Sequence, residues 1–263
     1  MSTGATVDSL WRYPVKSMRG EELNEAFVGF SGIYGDRLYA CRSSASPKGF
    51  PYLTAREQRK LLQYQPRFQF PDKAARPINL AEADNMAPGV TPVFADMSEL
   101  MVDVETPSGE TIAINDPALI QMLRDGVRGE PDVTLVHSQR AMTDCRPVSL
   151  FAVQTARQLG EEMGTDVDQR RFRANIYVDF DAASGFAENE WVGRSVRIGS
   201  KVVIAILERD PRCVMITLDP HTGESNPQLL RQVAQGHSGM AGVYGAVLVE
   251  GMVRKDDTVQ LLD

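Results

Sequence analysis

Residues 195–213 read "SVRIGSKVVIAILERDPRC", and this stretch decides the fold. Its β-branched and aliphatic residues form two strand-like runs, with Gly199-Ser200 between them as a turn. Asp210-Pro211 then breaks the second run, because proline has no N–H to give to a strand ladder. Cys213 follows two residues later, flanked by Arg209 and Arg212. The stretch predicts a pair of strands whose end delivers a thiol into a loop.

Working outward, strand-like pieces dominate. "VDSLWRYP", "EAFVGF" and "RLYACR" open the chain, and "LMVDVET" and "ETIAIN" flank a Pro107-Ser108-Gly109 turn. "VTLVH", "NIYVDF", "VMITL", "YGAVLVEG" and "DTVQLLD" complete the set. Three segments read as helices. "DPALIQMLRDGV" carries Asp116 as cap and Pro117 at the first position, and "SNPQLLRQVAQG" repeats this with Asn226, Pro227 and a stop at Gly236. "FAVQTARQLGEEMG" ends at Gly164. Residues 71–91, with several prolines and alanines, read as a long irregular connection. The pattern predicts a mostly β fold with helices, of the α+β class, built as barrels or sandwiches. A boundary falls near residue 140, giving residues 1–140 and 141–263.

The 263 residues carry a formal net charge of -7, which disfavours a nucleic-acid or membrane-surface role. Cys41, Cys145 and Cys213 are odd in number and widely spaced, so no disulfide framework is expected. The first residues, "MSTGATVDSLWRYP", have neither a basic nor an apolar signal region, and no apolar run approaches a membrane span. The expectation is a cytoplasmic protein with no membrane and no nucleic-acid partner.

A free cysteine beside strands is ordinarily a small buried hydrophobe, and Cys41 and Cys145 take that reading. Cys213 differs, because it follows a strand break and has arginines that favour a thiolate. A thiolate there serves as nucleophile, redox thiol or metal ligand, and the residues alone leave the three open. Basic and polar groups recur elsewhere. Lys16, Ser17 and Arg19 follow the first strand, Asp36 and Arg37 lie in "GIYGDRLYA", and Arg170, Arg171, Arg173 and Asn175 lie in "RRFRANIYV". Such donors suit a phosphate and a polar heterocycle. A zinc site from Cys213, His221 and His237 is a weaker alternative, since their spacing matches no standard zinc pattern. "QGHSGMAGVYG", with four glycines, reads as a mobile loop bordering a substrate entrance.

Five motifs occur in order: "LWRYPVKSMRG", "GDRLYA", "YLTAREQRKLL", "RRFRANIYVDF" and "DPRCVMITLDPHTG". In these the chain resembles MOSC-domain proteins, and among them bacterial YcbX-type proteins and the mitochondrial amidoxime-reducing component. The resemblance implies an N-terminal MOSC β-barrel domain followed by a MOSC β-barrel domain. It implies a molybdenum cofactor (Mo-molybdopterin), with Cys213 of the "SRC"-like motif as metal ligand. Lys16, Ser17, Arg37, Arg173, Asn175 and Arg212 fall on the matching cofactor-binding positions, and Ser149 and Thr155 on nearby candidate ones. Two positions depart from the family pattern: Ala174 stands for the proline of "FRPN", and Pro211 for the serine of "SRC". By the same resemblance, the activity is reduction of N-hydroxylated small molecules such as amidoximes and hydroxylamines. Asp210 and Asp219 are candidate proton donors by proximity in sequence. No cysteine-rich tail precedes Asp263, so electrons are expected from an external ferredoxin-, flavodoxin- or cytochrome-type donor and its reductase. The alternative is a non-redox carrier of the cofactor or its sulfur.

Overall fold

A computed structural model describes residues 4–85 and 92–262 of the chain. Its largest element is a sheet that closes on itself. Ile176–Phe180, Val148–Ala152, Met240–Val249, Val202–Pro211, Ser195–Ile198, Thr258–Leu262 and Ala5–Arg12 follow one another around it. Ala5–Arg12 then pairs back onto Ile176–Phe180 and closes a seven-strand barrel. Closure leaves no open strand edge in that ring. The fold is mostly β with helices, as the sequence predicts.

Ser195–Ile198 and Val202–Pro211 are the strand pair read from the opening stretch, joined in register from Ile198↔Val202. Gly199 sits at φ 59, the left-handed conformation that glycine adopts without a Cβ clash. Val202–Pro211 ends where the proline stands, and the next N–H, of Arg212, bonds the carbonyl of Gly239 at 2.8 Å. The barrel interior is filled by Val7, Leu10, Val148, Leu150, Ile176, Val178, Val196, Ile198, Val202 and Ile204, all essentially inaccessible to solvent.

Two segments fall outside simple reading. Val148–Ala152 runs parallel to Ile176–Phe180, and the helix Val153–Met163 makes the crossover between them. That strand is buried on both faces, so "VSLFA" has no alternation to separate it from the helix behind it. Phe151 and Ala152, read as helical, are therefore strand. Val214–Thr217, read as strand, is a single 3-10 turn in which the Thr217 hydroxyl donates back to Val214 O at 2.8 Å. The β-branched run follows the propensity for strand, but Pro211 has already ended the ladder.

The caps match their sequence signals. Asp116 and Asn226 accept from Ala118 N and Gln228 N, and Gly164 ends its helix at φ 67. In residues 71–91, two short helices form, Pro71–Ala75 and Leu80–Asn85, and residues 86–91 lie outside the described residues. A second core fills residues 15–133 around Leu38, Leu53, Leu61, Leu100, Ile114, Leu119 and Leu123. Leu218, from beside the barrel, packs into that second core. Among the described residues, no helix is long and apolar enough to cross a membrane.

Candidate functional site

Between the barrel and the second core lies a cleft holding ≈ 790 Å³ of empty space, part of it continuous with bulk solvent. Seven cationic side chains line it: Lys16, Arg37, Arg56, Arg146, Arg171, Arg173 and Arg212. Among the described residues, only two carboxylates, Asp144 and Asp210, line it with them. In a chain of net charge -7, this concentrates a positive field in one place. Cys213 lines the same cleft, exposed and free, at the mouth of the turn Val214–Thr217.

The backbone at this cleft is held in unusual conformations. Ser17, Arg37 and Arg173 have φ of 66, 47 and 53, the left-handed region that side chains with a Cβ avoid. Strain of this kind costs on the order of 1–3 kcal/mol per residue and gathers at functional sites. Each turn is fixed by its own hydrogen bonds. Lys16 N donates to Tyr39 O at 2.8 Å, Arg37 N to Tyr13 O at 2.7 Å, and Arg173 N to Arg170 O at 3.1 Å.

The cations are not equally compensated. Arg37 pairs with the fully buried Asp36, whose other oxygen accepts from Tyr13 N at 2.8 Å. Arg173 donates to Met18 O at 2.9 Å, and among the described residues no carboxylate pairs with it. Both guanidiniums lie over the Tyr13 ring, at 4.7 and 4.2 Å from its centroid. Burial lowers the pKa of Arg173, with Tyr13 opposing and Arg37 adding to the effect. Burial likewise pulls the Lys16 ammonium below its ordinary value, against Asp144, which holds its Nζ together with Met142 O at 2.8 Å. Arg212 Nε and Nη1 donate to Ala241 O and Phe172 O, at 2.6 and 3.0 Å. Its Nη2 lies 2.7 Å from Asp210 Oδ2 but is not aligned for a hydrogen bond, and is a buried donor left unsatisfied. Gly242, at φ 79, permits this packing, since a Cβ there would sit 2.9 Å from Arg212 Nη2.

Lys16, Ser17, Arg37, Ser149, Arg173, Asn175, Arg212 and Cys213 all meet at the cleft. Thr155 does not. It is fully buried on the helix Val153–Met163, where its hydroxyl contacts both oxygens of Glu188, at 2.9 and 3.0 Å, and accepts from Phe186 N at 2.7 Å. Asn175 lines the cleft and is also structural, with Nδ2 donating to Trp11 O at 3.3 Å and Oδ1 accepting from Ser149 Oγ at 3.3 Å. Ala174 keeps an N–H that proline lacks, and donates it to Tyr177 Oη at 3.2 Å.

Other expectations are corrected. Cys145 is exposed rather than buried, its Sγ 3.5 Å from Glu208, whereas Cys41 is buried and its thiol is pushed up to about 12 by burial. His221 stands in the Asp219 turn, and His237 stacks on Phe186 at 3.8 Å with Nε2 2.8 Å from Glu162. Among the described residues no group of three or more His, Cys, Asp or Glu is placed to hold a metal, so the zinc trio does not assemble. The glycine-rich segment is a short turn followed by the strand Met240–Val249, not a loop. Thr54, Arg56, Asp144 and Tyr244 line the cleft without having been singled out. Of these, Thr54 and Arg56 had a signal inside "YLTAREQRKLL", and Tyr244 lies in the glycine-rich segment read as bordering a substrate entrance.

The family model of the MOSC N-terminal beta barrel domain matches residues 4–116, and that of the MOSC domain matches residues 137–260. Mitochondrial amidoxime reducing component 2 of Bos taurus is 36% identical over 85 residues, which is 32% of this chain. That match spans 24% of the bovine protein's own length. Among solved structures, the YuaD protein from Bacillus subtilis covers 99% of this chain and 97% of its own, at 11% identity and a TM-score of 0.46. YiiM from Geobacillus stearothermophilus covers 45% of this chain and 55% of its own, at 18% identity and a TM-score of 0.36. With the two domain models together spanning all but a short connection and the chain ends, this protein belongs to the MOSC-domain family.

Proposed function

We propose that the cleft binds a molybdenum cofactor of the pterin type and uses it to reduce N-hydroxylated small molecules. The observation that carries this reading is the exposed Cys213 thiol in a cleft with seven cations and two carboxylates. The donor set fits such a group. A phosphate-bearing heterocycle needs a surplus of fixed cations, and among the described residues no carboxylate pairs directly with Arg173. A soft thiolate suits a molybdenum centre. The buried Arg212 Nη2 has no aligned acceptor of its own.

In this reading Cys213 holds the metal. Lys16, Arg37 and Arg173 take the phosphate and ring oxygens, and Ser17, Ser149, Asn175 and Arg212 complete the binding wall. The cofactor, when bound, supplies the two-electron redox chemistry, and the protein supplies binding, orientation and field. The strained turns at Ser17, Arg37 and Arg173 fix donor directions before the ligand arrives, which lowers the ordering cost of binding. Electrons come from a separate protein of ferredoxin, flavodoxin or cytochrome type, with its reductase. The name of the bovine relative supports the choice of amidoximes as substrates.

Steady reduction of benzamidoxime to benzamidine by the cofactor-loaded chain with an artificial electron donor tests this. Turnover is expected. A loaded protein that turns over no amidoxime or hydroxylamine contradicts the reductase reading and favours a carrier that hands the cofactor onward.

A further inference from the structure

Asp210 ends the strand Val202–Pro211 three residues before Cys213, and it lines the same cleft. It is 2% exposed, so its carboxyl is almost withdrawn from water yet faces the cleft. A buried acid beside a reactive centre is a familiar arrangement for proton transfer. Four groups face it. Arg212 lies 2.7 Å away on its own segment, the Tyr244 hydroxyl hydrogen-bonds it from the neighbouring strand, Asp144 approaches from the connection before the barrel, and Arg37 from the other half.

We propose that Asp210 is the acid that protonates the departing oxygen of the N-hydroxylated substrate, with Tyr244 as the residue that positions it. The proposal rests on the reductase reading above. Reduction of a hydroxylamine or amidoxime takes two electrons and two protons. The N–O bond breaks, the electrons come from the external donor protein, one proton goes to nitrogen and the other to the oxygen, which leaves as water. Without an acid within reach, that oxygen would leave as hydroxide, a poorer leaving group. The balance of charges on Asp210 suits the task. Burial raises its pKa to about 6, Asp144 adds to the rise, and Arg212, Tyr244 and Arg37 oppose it. A carboxyl with that value still carries a proton in a useful fraction of molecules near neutrality.

The test uses the full chain, loaded with cofactor, and three variants: Asp210→Asn, Asp210→Glu and Tyr244→Phe. Molybdenum and pterin content is measured first, and is expected to match the wild type in all three. In benzamidoxime reduction, wild-type kcat is expected to fall about tenfold per pH unit above about 6, where Asp210 loses its proton. Asp210→Asn is expected to lower kcat by about 10²–10⁴-fold with KM little changed, and to abolish that limb. Asp210→Glu restores the limb. Tyr244→Phe keeps it but moves its midpoint upward, because the tyrosine hydrogen bond favours the ionised carboxyl. Independently of turnover, infrared titration of the cofactor-free chain is expected to show a carboxylic-acid band lost near pH 6 and missing in Asp210→Asn. An active wild type with an unchanged Asp210→Asn overturns the assignment alone. A loaded wild type that reduces no N-hydroxylated probe overturns the reductase reading and the assignment together.

Discussion

Asp36 is the carboxylate on which the cationic wall of the cleft depends. It is fully buried, pairs with Arg37, and accepts the backbone N–H of Tyr13, whose ring carries both Arg37 and Arg173. Removing it leaves the Arg37 guanidinium, which is 12% exposed, without the carboxylate it pairs with, a change that costs about 3–5 kcal/mol in comparable buried pairs. Asp36→Ala is expected to lower unfolding stability by that amount in urea titration, and a loss under about 1 kcal/mol would contradict the network described. At this scale much of the site was legible. Lys16, Ser17, Arg37, Arg173, Asn175, Arg212 and Cys213 lie in short motifs whose residue types already suggest an anionic ligand. Asp144 was not legible, because it stands in a segment with no motif and reaches the cleft only through the barrel's topology, and Tyr244 lies in "QGHSGMAGVYG" without a role of its own. Thr155 was misplaced for a related reason. The helix begins at Val153, and one turn of helix points Thr155 inward to Glu188 instead of to the cleft.

Among the elements, the short helix Ala187–Trp191 places Glu188 in the interior, against Thr155 and the N–H of Ala152 at 3.4 Å. Burial pushes its carboxyl up to about 7. An unfolded glutamate titrates near 4.3, so the folded state holds this proton more tightly than the unfolded state. Its contribution to stability is therefore complete below about pH 4.3 and is lost as pH rises through 7, on the order of 3 kcal/mol across that window. Glu188→Gln is expected to flatten this part of the stability–pH curve, as measured by chemical denaturation at several pH values. An unchanged slope between pH 5 and 8 would refute it. The elements read correctly are those with amphipathic alternation or caps, such as Ser195–Ile198, Pro117–Asp125 and Pro227–Gly236. Val148–Ala152 and Val214–Thr217 were obscured, the first by burial on both faces and the second by β-branched residues used in a turn.

Across the whole molecule, the first strand is what makes the barrel a barrel. Ala5–Arg12 is paired on one side with Ile176–Phe180 and on the other with Thr258–Leu262, so both ends of the chain and its middle share one ring. Residues 141–263 alone would leave two strand edges open and expose Val178, Phe180 and Val259. That fragment is expected to aggregate or to give a poorly dispersed NMR spectrum, and a well-dispersed, monomeric spectrum would contradict it. The same closure sets the cleft, because it brings Lys16 and Arg37 from one half against Arg173 and Cys213 from the other. The proposed function requires that this cleft hold a molybdenum cofactor through Cys213. It is tested most directly by molybdenum and pterin analysis of the wild type and Cys213→Ser, both purified from a host that makes the cofactor. About one molybdenum with pterin per wild-type chain, and loss of the metal or of its thiolate signature in Cys213→Ser, is the predicted result. Wild-type protein free of both molybdenum and pterin would contradict it.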